Sequence, residues 1–120
     1  MAYLLVFVGA GIGGALRHGV NVGWHRLGVA SPWATLTVNL TGSLIMGLLT
    51  GYFMSRTGLP QHLRLLLTTG VLGGFTTFST FSLDAAVLLE RHSFWTALAY
   101  IAASVVLGIV ALFGGLAAFR

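Results

Sequence analysis

The chain has 120 residues, of which 57% are hydrophobic and only 7% are charged, and its formal net charge is +4. An ordinary soluble domain has about 25% charged residues, so this composition predicts an all-α protein that is embedded in lipid. Nucleic-acid binding is excluded, because the arginines are spread singly and most lie near the ends of apolar segments.

Four apolar stretches have about the length that crosses a bilayer as a helix, roughly 20 residues. They lie at about residues 2–22, 33–54, 63–89 and 95–119. No linker is long enough to separate two domains, so residues 1–120 are predicted to form one transmembrane domain. In the first stretch, residues 9–14 match the glycine pattern of dinucleotide sites, but no acidic residue appears before Asp84. Close helix packing through small residues is therefore the preferred interpretation.

The second and fourth stretches each carry small and polar residues at every fourth position, which places them on one helix face. These residues are Thr35, Asn39, Ser43 and Gly47 in the second stretch, and Thr96, Tyr100, Ser104 and Gly108 in the fourth. A single hydroxyl in a membrane usually makes an interhelical hydrogen bond. Asn39 has four hydrogen-bonding positions to satisfy, so a structural and a functional role are both open for it.

The third stretch is about seven residues longer than a simple span requires. Its middle, residues 73–81, joins two glycines to β-branched and hydroxyl residues, which are poor helix formers. We therefore expect two half-helices with an unwound middle. Freed carbonyls there suit a monovalent cation, while half-helix N-termini suit an anion. Phe78 and Phe81 fall in this segment, where they either pack in the core or turn positive ring edges towards a dehydrated anion.

The polar faces contain hydroxyl and amide groups and, from the sequence, no acid, because Asp84 and Glu90 are expected towards the end of the third span. With Arg17 near one mouth, these groups favour a pathway for a small anion. No histidine or acid is paired with a nucleophile, so catalysis is not expected. The histidines are interpreted as interfacial polar residues, because their spacing builds no metal site.

The arginines do not select an orientation in the membrane. Four spans put both termini on one side, and three arginines then lie on each side. Since orientation follows an excess of basic residues in cytoplasmic segments, we predict that the chain inserts both ways up and pairs with its inverted copy. The alternative is that one or two arginines, such as Arg17, lie too deep to count.

Residues 73–82, which read GGFTTFSTFS, resemble the motif of the Fluc (CrcB-type) fluoride channels, and residues 13–17 and 35–43 match the same family. The resemblance covers all four spans. It implies an antiparallel, dual-topology homodimer in the plasma membrane, with two pores that let fluoride leave the cytoplasm passively. It also implies a structural sodium ion on the two-fold axis, bound by the backbone carbonyls of Gly73 and Thr76 from both subunits.

The same resemblance implies a set of side chains along the fluoride pathway. Two rings contact fluoride, an amide donates to it, four hydroxyl residues form a polar track and an arginine lies near the vestibule: Phe78, Phe81, Asn39, Ser79, Thr80, Tyr100, Ser104 and Arg17. The chain departs from the family at Gly108, where the track often has a hydroxyl, and at His18, where tyrosine is common.

Two other classes of membrane protein compete with this interpretation. A four-span proton-coupled drug exporter requires a carboxylate deep in a span, and the first span has none. A non-transporting assembly subunit does not explain a paired-glycine segment that carries hydroxyls and two phenylalanines.

Overall fold

The computed structural model describes all 120 residues and contains helices but no strands. The helices, in chain order, are α1 (Ala2–Arg26), α2 (Ser31–Ser55), α3 (Gln61–Arg64), the π-helix π1 (Leu65–Leu72), α4 (Gly73–Phe75), α5 (Phe78–Arg91) and α6 (Phe94–Ala117). Four stretches are long and apolar enough to cross a membrane: Ala2–Arg26, Ser31–Ser55, Gln61–Arg91 and Phe94–Ala117. The prediction of an all-helical, multi-pass membrane protein is therefore confirmed.

The first two helices extend beyond the apolar stretches that the sequence marks. α1 continues to Arg26, with His25 and Arg26 in its last turn, where positive charge suits the C-terminal end of the helix dipole. The chain then turns at Gly28, whose φ of +74° favours glycine. α2 begins with Ser31 and Pro32, since the fixed φ and missing N–H of proline are suited to a first helical turn.

Close backbone approaches hold the helices together. α1 packs on π1, and a Cβ built on Gly9 would lie 2.8 Å from the Cα of Gly70. α2 packs along α6, and a Cβ on Gly115 would lie 2.5 Å from the carbonyl oxygen of Leu44. The predicted packing of α1 through small residues is thus confirmed at Gly9, whereas Gly11 faces open space.

Most of the apolar surface points outwards. Only 14 of the 120 residues are buried within the chain, and Phe7, Leu83 and Val106 are among the many large apolar side chains that are exposed. Soluble monomers rarely expose so much apolar surface to water. The four spans are therefore surrounded by lipid or by other protein.

Candidate functional site

The third span changes conformation at two threonines. Thr76 (φ −84°, ψ 157°) and Thr77 (φ −149°, ψ 123°) are extended, and α5 begins directly after them. Gly73 and Gly74, which were expected to unwind, are helical. Gly74 instead allows α1 to approach, since a Cβ there would lie 2.8 Å from the Cα of Ala10. The extended segment is therefore shorter than residues 73–81.

Asn39 bonds to both backbone groups of Thr77. The Thr77 N–H donates to Oδ1 at 2.8 Å, and Nδ2 donates to the Thr77 carbonyl at 3.0 Å. These two bonds satisfy backbone groups that a helix would otherwise pair, which matters because an unpaired backbone group in lipid costs several kcal/mol. One hydrogen of Nδ2 is left over for another acceptor.

The same rearrangement removes the usual amide donors from the backbone carbonyls around the break, including those of Gly73 and Thr76. In an uninterrupted helix the Thr77 amide would bond to the carbonyl of Gly73, and the Thr80 amide to that of Thr76. The Thr77 amide is bound to Asn39 instead, and the Thr80 amide to Oγ1 of Thr77 at 3.2 Å. The carbonyls of Gly73 and Thr76 therefore lose the partners that helical geometry normally provides.

A cavity of about 340 Å³ lies beside this segment, between α2, α5 and α6. Its lining includes Asn39, Ser43, Phe78, Phe81 and Ser104. Oγ of Ser104 is buried and has no hydrogen-bond partner within the chain. Because a buried hydroxyl without a partner is unfavourable, the cavity is suited to a small hydrogen-bond acceptor.

Aromatic rings connect this cavity to Tyr100. The ring centroids of Phe78 and Phe81 are 5.7 Å apart, and those of Phe81 and Tyr100 are 5.4 Å apart. Phe81 is half-buried, while Phe78 is 78% exposed. The rings thus extend from the open side of the cavity to the polar face of α6.

A buried acid lies at the far end of this row. The Asp84 side chain is 6% exposed, and its carboxylate accepts hydrogen bonds from Ser31 Oγ (2.9 Å), Thr35 Oγ1 (2.5 Å) and the Tyr100 hydroxyl (3.4 Å). The expectation that the polar faces contain no acid is therefore wrong. The signal was present in the sequence, because Asp84 follows Phe81 by three residues and so shares its face of α5.

The remaining predicted pathway residues lie apart from the cavity. Ser79 is exposed, with its hydroxyl 3.4 Å from Oγ1 of Thr77, and Thr80 is half-buried. Neither residue lines the cavity, and neither does Arg17. A Cβ added at Gly108 would lie 3.7 Å from Oγ of Ser43. The Ser43 hydroxyl therefore lies close to position 108, where the family often has a hydroxyl residue and this chain has glycine.

No group of three histidine, cysteine or acidic side chains is close enough together to bind an ion. Among the backbone oxygens, the carbonyls of Gly73 and Thr76 have lost their helical donors.

Residues 4–116 match the family model described as CrcB-like protein, Camphor Resistance (CrcB). A protein of Methylobacterium nodulans named fluoride-specific ion channel FluC is 58% identical over 117 residues, which cover 98% of this chain and 94% of the relative. A Rhodopseudomonas palustris protein of the same name is 53% identical over 121 residues, covering 100% of this chain and 98% of the relative. A third protein of this name, from a Methylobacterium species, is 60% identical over 106 residues, which cover 88% of this chain and 86% of the relative.

Proposed function

The chain belongs to the CrcB-like protein family, and on that basis we propose that it is a fluoride-selective ion channel, not an enzyme. The observation that carries this function is the 58% identity, over 98% of the chain, to a protein named fluoride-specific ion channel. Passive exit of fluoride across the plasma membrane would lower its concentration in the cytoplasm. The proton-coupled exporter considered from the sequence has no support among these relatives.

The chemistry of the cavity supports an anion as the permeating species. Ser104 offers an unclaimed hydroxyl hydrogen, and Asn39 has one amide hydrogen beyond its bond to Thr77. The edges of Phe78 and Phe81 carry partial positive charge, and both rings line the same space. We assign these four side chains to direct contact with fluoride.

A second copy of the chain is part of this proposal. Phe78 is largely exposed in the single chain, and the space beside Gly73 is open, with Thr68 O at 3.9 Å the nearest atom to an added Cβ. Irregular backbone in a membrane must be covered by protein or face water. An antiparallel homodimer would cover it, and the partner subunit would bring Ser79, Thr80 and Arg17 to the completed pathways.

A structural sodium ion fits the backbone at the centre of this proposed dimer. The carbonyls of Gly73 and Thr76 have lost their helical donors, and uncharged oxygens suit a hard monovalent cation better than a divalent one. When bound, the ion would supply a fixed positive charge and satisfy these carbonyls. It would not be transported.

Flux from liposomes tests the function directly. Purified protein reconstituted into liposomes loaded with fluoride should release it passively when an ionophore carries the compensating cation. Liposomes loaded with chloride should retain it. Equal release of the two anions, or fluoride release that requires an imposed proton gradient, would contradict a passive fluoride-selective channel.

A further inference from the structure

Asp84 lies between two cavities of the chain. On one side its Tyr100 partner stacks with Phe81, which lines the cavity beside Asn39. On the other side Ser31 lines a cavity of about 470 Å³ between the end of α1 and the start of α2. His18, His25 and Arg26 also line this second cavity, so it can attract anions. Through Ser31 the carboxylate reaches the second cavity, and through Tyr100 and Phe81 it reaches the first.

The hydroxyl hydrogens around Asp84 are already in use. A hydroxyl has one hydrogen to donate, and Ser31, Thr35 and Tyr100 each donate it to the carboxylate. An anion that arrives beside Thr35 or Tyr100 therefore meets oxygen lone pairs and a negative charge. It gains a donor only if a hydroxyl turns away from Asp84.

We propose that Asp84 is a specificity-determining residue, whose carboxylate competes with the passing anion for the hydroxyl hydrogens of Thr35 and Tyr100. This inference rests on the proposed fluoride channel function. Fluoride is the conjugate base of a weak acid, as a carboxylate is, and it accepts hydrogen bonds with comparable strength. Chloride is the conjugate base of a strong acid and accepts them weakly. The competition therefore admits fluoride and excludes chloride.

The substitution Asp84→Asn tests the competition. An amide oxygen has nearly the same position but no charge, and charge-assisted hydrogen bonds are about twice as strong as neutral ones. Chloride should then be able to accept hydrogen bonds from the Thr35 and Tyr100 hydroxyls. The ratio of fluoride to chloride efflux should therefore fall about tenfold or more. Asp84→Glu, which keeps a carboxylate, should retain most of the wild-type ratio. Glu90→Gln removes an exposed acid from the same helix and should leave the ratio unchanged.

A second variant gives an effect of opposite direction. Ser31→Ala removes one donor at the exposed start of α2, so Asp84 should hold Thr35 and Tyr100 more firmly. Fluoride efflux should fall several-fold, about the effect of one hydrogen bond, while the ratio of fluoride to chloride does not fall. This variant decides the question if Asp84→Asn does not yield a folded protein.

The results separate this inference from the channel function on which it rests. If wild-type protein releases no fluoride, the proposed function fails and the inference fails with it. If wild-type protein is fluoride-selective and folded Asp84→Asn keeps its ratio, the competition is refuted and the channel function stands. Unchanged fluoride efflux in Ser31→Ala likewise refutes the competition.

Discussion

Replacing Asn39 by aspartate separates the support that this residue gives the backbone from its contact with the ion. In the native chain Oδ1 accepts from the Thr77 N–H at 2.8 Å. An aspartate oxygen can keep this bond and strengthen it by its charge. The bond from Nδ2 to the Thr77 carbonyl, at 3.0 Å, is lost. The Thr77 carbonyl is then left without its donor, which costs several kcal/mol in a membrane, so folding of the variant is measured together with its flux.

The effect on conduction should be much larger. Asn39 lines the cavity beside Phe78 and Phe81, so we take a separation on the order of 4 Å between the new charge and an ion in that cavity. Two like charges at that separation repel by about 4 kcal/mol at an effective dielectric constant of about 20. Since each 1.36 kcal/mol changes a rate about tenfold, fluoride flux in Asn39→Asp should fall by about a thousandfold.

The assay is fluoride efflux from liposomes at alkaline pH, with size-exclusion chromatography in detergent as a test of folding. Gln61→Glu is the control for the change from amide to acid, because Gln61 is exposed at the start of α3 and lines neither cavity; it should conduct almost normally. A folded Asn39→Asp protein that releases fluoride within about tenfold of the wild-type rate would show that Asn39 is not beside the ion, because the calculated repulsion is far larger.

Three further predictions address assembly, the cation and helix packing. A few lysines added to one side of the chain should lock its orientation in the membrane. A variant locked in one orientation should fail to protect cells from fluoride when it is expressed alone, and co-expression with the oppositely locked variant should restore protection. Full protection by one locked variant alone would contradict dual topology. Thr76→Ser should retain sodium and flux, because backbone oxygens are the proposed ligands. Gly73 has no close neighbour within the chain, so Gly73→Val should leave a folded monomer. Light scattering should then show that this variant no longer dimerises. Gly115→Ala places a Cβ 2.5 Å from the Leu44 carbonyl oxygen and should destabilise the folded protein by about 1–3 kcal/mol. Gly114→Ala places its Cβ in open space and should leave the stability unchanged or raise it by up to about 1 kcal/mol. If thermal unfolding ranks the two variants in the reverse order, the packing of α2 on α6 is contradicted.

The number and type of spans could be predicted because hydropathy and length alone define them. The packing contacts were harder to assign. Gly9 and Gly13 are buried, whereas Gly11 faces open space, and the sequence shows only that all three are small. Which glycine approaches a neighbour depends on the rotation of α1 against π1, and this rotation is set by tertiary contacts.

The position of the extended segment shows a second limit of sequence reasoning. Glycine has low helix propensity, so residues 73 and 74 were the natural candidates for unwinding. In the structure they stay helical, and Thr76 and Thr77 are extended. Asn39, on another helix, supplies both hydrogen bonds that Thr77 requires. A partner so distant in sequence can override local propensity, and it cannot be read from the segment itself.

Ser104 is the residue at which stability and conduction should be separable. Asn39 supports the backbone as well as lining the cavity, so truncating it disturbs both properties. Ser104 has a buried hydroxyl that bonds to nothing in the chain, so Ser104→Ala removes an unsatisfied group and should leave thermal stability unchanged or raise it. If that hydroxyl donates to the ion, fluoride efflux should nevertheless fall about ten- to a hundredfold, the effect of one hydrogen bond to a charge. Ser43→Ala, on the same cavity wall, is the comparison for the loss of a hydroxyl as such. Reduced stability with unchanged flux in Ser104→Ala would mean that this hydroxyl serves the fold and not the ion.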